Sequence, residues 1–509
     1  MGERIKKQSW FMAMLLGIWD GIVSAGLAVG SVCKAIGKFF ADFGIAFWKG
    51  DIFVKLSVVW WGAGYARRKQ FIKALIMTGV EAVVIWYTMT LGMEYVPDFL
   101  TLGTVKLEKV FNMATMQMEF NDYDNSFMIL LFSLFSFVVW TVAAVACMRS
   151  TVNCYKLQLR AEAGLHINNF WEDVQDYLDS KFHITLLALP VTGIVIFTVI
   201  PILLLIFVAF TNYDENHMPP ATLFDWVGFT NFANLFTNMF QFGEEVNAAN
   251  TFGYAFIRVL AWTLVWSFFA TLTNYFGGIM VSLMLNSKLT KMTKLWRTML
   301  VVTIAVPQFV SLLLMRYFFA NTGIANSFCA SIGLTAWLHE MGWISTSYIP
   351  FLSAPGWAHV MIILINIWVG IPYQMLIATG VLMNLPQDQI ESARIDGASP
   401  FQIFCHITMP YMLQVTGPAL VTDFVKNFNN FNVIYLLTQG TYVTTDMYMA
   451  NAHASEVSLL VTWLFSLTQD YYNYKMASVL GIMVFVVCSI ITLIGFNFMT
   501  GGDKEETYQ

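Results

Sequence analysis

Between Thr422 and Asn432 an otherwise apolar stretch is interrupted by Asp423, Lys426, Asn427, Asn429, Asn430 and Asn432. Such side chains trade hydrogen bonds: the carboxylate accepts, the ammonium donates, and each amide does both. The chemistry on offer is reversible binding of a polar solute. At about 100° per helical residue, Asn427, Asn430 and Lys426 lie within about 60° of Asp423, forming one stripe, whereas Asn429 and Asn432 point elsewhere. A structural reading competes. Asp423 and Lys426, three residues apart, could neutralise one another, and the amides could join helix to helix.

Other chemistries find no motif. The seven histidines (166, 183, 217, 339, 359, 406 and 453) form no H-E-x-x-H, so no catalytic site and no metal site is expected. Cys33, Cys147, Cys154, Cys329, Cys405 and Cys488 are widely spaced, which suits packing better than a disulfide framework or zinc. No G-x-x-x-x-G-K-[ST] loop is present, so any ATP chemistry must come from another chain. A net charge of -5, without a basic run, makes nucleic acid an unlikely partner.

The elements that carry these residues must sit in lipid. Of 509 residues 57% are apolar and only 12% charged, too few charges to cover a soluble surface. Eight stretches have the roughly 20 apolar residues that a crossing needs: 71–94, 126–148, 183–210, 259–285, 298–320, 357–383, 411–437 and 476–499. The expected fold is an all-α, polytopic membrane protein. With both termini inside, only Lys106, Lys109 and Lys475 of the 27 Lys and Arg fall in exterior segments. Arg258, Arg316 and Lys426 lie in or at the ends of spans, and Arg316 suits snorkelling to the outer interface. The inside set runs from Arg4, Lys6 and Lys7 through Lys288 to Lys504.

Residues 10–33 are apolar except for Asp20, Ser24 and Ser31, and Lys34, Lys38, Lys49 and Lys55 follow at helical spacing. Interfacial amphipathic helices are expected there, with Trp10, Trp48, Trp60 and Trp61 at headgroup depth. The divisions expected are an interfacial region 1–70, two accessory spans with a connector 71–182, a core 183–499 and a tail 500–509. The connector 149–182 carries Trp171 among acidic residues and reads as amphipathic. Exterior loops 95–125, 211–254, 321–355 and 438–475, rich in Asn, Thr and aromatics, could dock a soluble partner.

Between the sixth and seventh spans, 385–410 reads as helix, glycine turn and second helix start. Pro386 precedes a predicted helix 387–395 with Asp388 and Glu391 in its first half, Gly397 ends it, and Ser399 and Pro400 supply the N-cap and N1 of the next. Here Glu391, Ala393, Gly397, Ile407 and Pro410, with Asp396 and Ala398 flanking the glycine, resemble the E-A-A-x-x-x-G…I-x-L-P signature of ABC importer permeases. Ser392 and Met409 depart from it by size-tolerant changes. Through roughly 183–499 the chain is similar to the larger permease of maltose and multiple-sugar importers, the MalF-like group. Trp368, Gly370, Pro372 and Tyr373 match its W-x-G-x-P-Y segment, and Phe428, Asn429, Asn430 and Phe431 its F-N-N-F. The very large exterior domain of some maltose permeases is absent, since 211–254 is a moderate loop.

The resemblance implies one half of an ATP-driven sugar importer in a bacterial inner membrane. It implies Glu391, Ala393, Asp396, Gly397 and Ala398 as ATPase-coupling positions, and Gly370, Tyr373, Asp423, Asn427 and Asn430 as sugar contacts. The position matching Asn432 also lies near sugar in that group, against its helical phase here. A proline and a glycine in the sixth span would let backbone carbonyls face a cavity. Implied partners are a second, homologous permease subunit, two ATPase subunits that use ATP and Mg, and an extracytoplasmic solute-binding protein. An ion-coupled secondary transporter is the alternative, although the internal repeat such proteins usually carry is not seen.

Overall fold

A computed structural model describes residues 10–113, 116–237, 239–240, 251–287, 289–438 and 444–500. Arg4, Lys6, Lys7, Lys288, Lys504 and most of the tail 500–509 lie outside the described residues, as does the side chain of Trp10. The chain divides into two compact units, one of Val23–Asn231 with Asn473–Ser478, the other of Phe232–Tyr472 with the two chain ends.

The first unit begins within α1, Trp10–Lys49, a single helix of 40 residues where separate interfacial helices were expected. The spans α2 (Phe71–Phe99), α3 (Ser126–Glu162) and α4 (Phe182–Val208) follow. Leu75, Val83 and Trp86 of α2 and Leu189 and Phe197 of α4 are exposed, as befits side chains that lipid can solvate. Between α1 and α2 the chain folds in on itself. Asp51 caps Ile52–Leu56, its Oδ1 accepting from the Val54 N–H at 2.8 Å, and it pairs with Arg68 at 3.0 Å. Gly64 sits against Cys154 of α3, where a Cβ would come within 2.6 Å of its sulfur. Trp61 is buried, its N–H donating to Glu81 Oε2 and its carbonyl accepting from Ser150 Oγ, so it is not the headgroup anchor expected of it, whereas Trp48 and Trp60 are exposed, the Trp60 indole donating to Thr78 Oγ1. The third span also groups with these helices and not with the expected 183–499 core: Leu204, Phe207 and Val208 pack with Ile129 and Leu130.

In the connector, Phe170–Leu178 is helical with a capping box between Asn169 and Glu172, Trp171 faces outward, and Lys73 pairs with Asp173. In loop 95–125, Lys109–Asn112 pairs antiparallel with Gln117–Phe120, Lys109 opposite Phe120.

The second unit holds the remaining long helices: α5 (Phe252–Asn286), α6 (Thr293–Ala305), α7 (Gln308–Phe318), α8 (Pro355–Leu382), α9 (Gln387–Ile395), α10 (Met409–Phe428), α11 (Phe431–Thr438) and most of α12 (Tyr474–Thr500). Among the described residues six helices are long and apolar enough to cross a membrane, or seven if α6 and α7 are one span bent by 93°. The expected fifth span is thus broken, because Pro307 has no N–H to continue α6 and Val306 is extended (ψ 125°). The seventh, 411–437, stops at Phe428 and resumes at Phe431. The all-α, polytopic expectation is met, with irregular backbone where two of the eight straight crossings were expected. The core of this unit packs Trp266, Ala270, Leu312, Ile362, Ile365, Val433 and Leu437 together.

Within the first unit, Asp214 accepts from Lys475 Nζ (2.6 Å), bonds His217 Nδ1 (2.7 Å) and accepts from the Asn216 N–H (3.0 Å). Burial pushes its carboxyl up, but the Lys475 and His217 hydrogen bonds and the Lys475 charge outweigh it, and the net shift is below the usual carboxylate range. The stability Asp214 contributes is therefore fully present above the ordinary carboxylate pKa and is lost as pH falls through its depressed folded value. Asp214→Asn should cost about 1–2 kcal/mol at pH 7. Melting curves of the solubilised protein should show the deficit shrinking as the parent is acidified; a deficit unchanged across that window would contradict the assignment.

Candidate functional site

Four helices of the second unit, α5 to α8, enclose the polar stripe of α10. The Asn427 amide nitrogen donates to Thr271 Oγ1 of α5 at 2.9 Å, and the Trp266 indole donates to the Asn427 carbonyl at 3.0 Å. From α8, Gln374 Nε2 donates to Asp423 Oδ2 at 2.8 Å. Lys426 Nζ stands over the Tyr373 ring, 5.8 Å from its centre. Asp423 thus takes Gln374 as its partner and does not close the ion pair with Lys426 that the spacing allowed. Asn430 Oδ1 accepts from the Val433 N–H at 3.2 Å, capping α11 after the break. Asn429 turns away, its amide donating to the Val425 carbonyl (3.3 Å) and to Cys488 Sγ (3.4 Å), in line with its helical phase, and Asn432 is exposed.

The result is a cavity of about 330 Å³ whose lining includes Gly370, Tyr373, Asp423, Asn427 and Asn430. It brings all five expected contact positions together. It also includes residues that sequence reasoning missed: Thr271 and Asn274 from α5, Asn366 and Gln374 from α8, and Thr303, Gln308 and Ser311 around the α6–α7 break. Asn366, Gly370 and Gln374 recur every fourth residue on one face of α8, and that periodicity, like a proline inside a predicted span, was the available signal. Asn274 and Asn366 are buried, with Asn274 Oδ1 and Asn366 Nδ2 lacking any protein partner. Leaving such atoms unpaired costs roughly 1–3 kcal/mol each, which a ligand hydroxyl or a water can relieve.

Gly370 does more than line the cavity. A Cβ there would lie 2.2 Å from Asn274 Nδ2, so the missing side chain makes room for that amide. Gly278 receives Gln374 in the same way, and Gly277 receives Ile371. Toward the α9 end, Gln374 and Asp423 also bound a second void of about 20 Å³, otherwise lined by Tyr275, Ile279, Ile377, Ala378, Met412, Thr416, Ala419 and Leu420. There Tyr275 and Thr416 share a hydrogen bond of 2.8 Å. One polar clasp, Gln374–Asp423, therefore separates a roomy polar chamber from a narrow apolar one.

The loop after α8 forms as expected. α9 follows Pro386, and Gly397 takes the left-handed conformation (φ 80°). The Ala398 N–H reaches the Ala393 carbonyl at 2.9 Å and the Gly397 N–H the Arg394 carbonyl at 3.1 Å, the two bonds of a Schellman ending. Ser399 and Gln402 form a capping box, and the chain continues through Pro400–Ile403 and a widened turn, Phe404–Thr408, into α10. Glu391, Asp396 and Gly397 are exposed, and Ala393, Asp396, Gly397 and Ala398 line a shallow depression with Ile407. Ile395 (86%) and Phe401 (72%) are bare, an apolar pair suited to a partner and not to water.

Residues 274–500 match the model of a family described as the inner membrane component of binding-protein-dependent transport systems. The galactooligosaccharides transport permease GanP of Bacillus subtilis (strain 168) is 36% identical over 319 residues, 62% of this chain and 70% of that one. The chain belongs to this family. The maltodextrin permease MdxF of the same organism is 28% identical over 452 residues, covering 87% of this chain and 95% of the relative. Among solved structures, a bacterial ABC transporter involved in the import of alginate shares the family fold with a TM-score of 0.50 and 24% identity, over 66% of this chain and 99% of that one. The family match includes the cavity contributions of α8 and α10 together with the 385–410 loop, and it begins at Asn274 itself.

Because Gly370 accommodates Asn274, Gly370→Ala should overpack the α5–α8 contact at about 1–3 kcal/mol. The solubilised permease should melt lower and be recovered in lower yield. An unchanged melting temperature would mean that Gly370 serves the cavity alone.

Proposed function

We propose that this permease forms half of the translocation pathway of an ATP-driven oligosaccharide importer and that the α5–α8–α10 cavity holds sugar in transit. The observation that carries the reading is that the cavity's polar groups are only half used. Asn427 spends its amide nitrogen on Thr271, Asp423 one oxygen on Gln374, and Asn430 its oxygen on Val433. The other ends are left to a ligand, which joins the packing and binding readings of these residues. Sugars present hydroxyls that both donate and accept, and apolar ring faces that Tyr373 and Trp368 can cover. The relatives named for maltodextrin and galactooligosaccharides support the same substrate class.

The partners follow from what one chain leaves undone. A second, homologous permease subunit would complete the pathway. Two ATPase subunits using ATP and Mg would dock α9 and its glycine turn in a cleft, as a helix in a groove, through Glu391, Ala393, Asp396, Gly397 and Ala398 with Ile395 and Phe401 beside them. An extracytoplasmic binding protein would deliver sugar, in keeping with the family's binding-protein dependence. The distribution of basic residues supports a cytoplasmic position for the 385–410 loop and both termini. Membership of a binding-protein-dependent family leaves the ion-coupled alternative without support.

One experiment separates pathway from coupling. Tyr373 is half-exposed, so Tyr373→Ala should lower sugar uptake several-fold while melting temperature and copurified ATPase stay at parental values. Gly397→Val, which forces a β-branched residue to positive φ at a cost of about 1–2 kcal/mol or more, should reduce both ATPase copurification and uptake. Parental uptake by both variants would refute the proposed roles.

A further inference from the structure

The cavity has charges of both signs and no net charge. Of its lining residues only Asp423 and Lys426 bear a carboxyl or an amino group, and they stand one turn apart on the same face of α10. Among the described residues neither makes an ion pair, with the other or with a third group: Asp423 accepts from the neutral Gln374, and Lys426 rests over the Tyr373 ring. The two charges are thus held apart and both face the space where a solute would sit.

We infer that Asp423 and Lys426 act together as a charge filter that selects uncharged carbohydrate. The inference rests on the sugar reading of the cavity and names the class of sugar. A hydroxyl can donate to the Asp423 carboxylate while a neighbouring hydroxyl accepts from the Lys426 ammonium, so a neutral sugar bridges the pair without adding charge. A uronate would satisfy Lys426 but bring a second carboxylate beside Asp423. A hexosamine would satisfy Asp423 but bring a second ammonium beside Lys426. In a cavity partly enclosed by membrane helices either excess charge is less well screened than at an open surface, and discrimination arises from the repulsive partner as much as from the attractive one.

The test uses the complete complex in nanodiscs without its binding protein, so that only the membrane cavity reads the ligand. Binding of three tritiated trisaccharides is measured: one neutral, one built of uronates and one of hexosamines. The parent should prefer the neutral sugar over each charged one by about tenfold. Asp423→Asn retains an acceptor for Gln374 and should shift the uronate-to-neutral ratio toward uronate by about tenfold. Lys426→Gln should shift the hexosamine-to-neutral ratio likewise, and the double variant should discriminate least. If the parent binds the neutral sugar but neither variant changes the ratios, the filter is refuted while the sugar reading stands. If the parent binds none of the three, the sugar reading falls and the filter with it.

Discussion

A helix that carries Asp423, Lys426, Asn427 and Asn430 along one face cannot set that face against lipid, because nothing there would satisfy those groups. The architecture of the second unit follows from this. α5 and α8 close around α10 and supply Thr271, the Trp266 indole and Gln374 as partners, while α6 and α7, broken at Pro307, complete the wall with Thr303, Gln308 and Ser311. The Thr271 and Gln374 bonds each engage one end of a two-ended side chain, Asn427 and Asp423. The interactions that hold the helices together therefore also orient the ends that remain for a solute.

Close approach of α5 and α8 makes those bonds possible. Three glycines let the backbones come near: Gly277 under Ile371, Gly278 under Gln374 and Gly370 against Asn274. Gln374 is seated by Gly278 and from there reaches Asp423, so a small-residue contact on one face fixes a polar contact on the next. Helix association in lipid favours this economy, since lipid tails offer no hydrophobic drive and close packing must supply it. The clasp and the Tyr275–Thr416 bond beyond it lie between the chamber and the α9 loop.

Much of this was legible in the sequence, for reasons that can be named. Polar side chains inside apolar stretches are costly enough to stand out, which is why the α10 stripe was found, and the Gly397–Ser399–Pro400 run has one local solution, which α9 and the capping box realise. What could not be read depends on neighbours. Whether Asp423 would pair with Lys426 or with Gln374, 49 residues earlier, is a tertiary choice. Whether a hydrophobic run spans or breaks depends on what satisfies the freed carbonyls, so 298–320 and 411–437 looked like straight crossings. The burial of Trp61 depends on Glu81 and Ser150, 20 and 89 residues further on, which meet its backbone.

The account stands or falls on whether sugar passes through the chamber between α5, α8 and α10. The direct measurement is photolabelling of the assembled transporter during turnover with an oligosaccharide carrying a diazirine, followed by peptide mapping. Labels should fall on Thr271–Asn274, Asn366–Gln374 and Asp423–Asn430, and excess unlabelled sugar should compete them away. Competed labels confined to other segments, with these three peptides clean, would contradict the account.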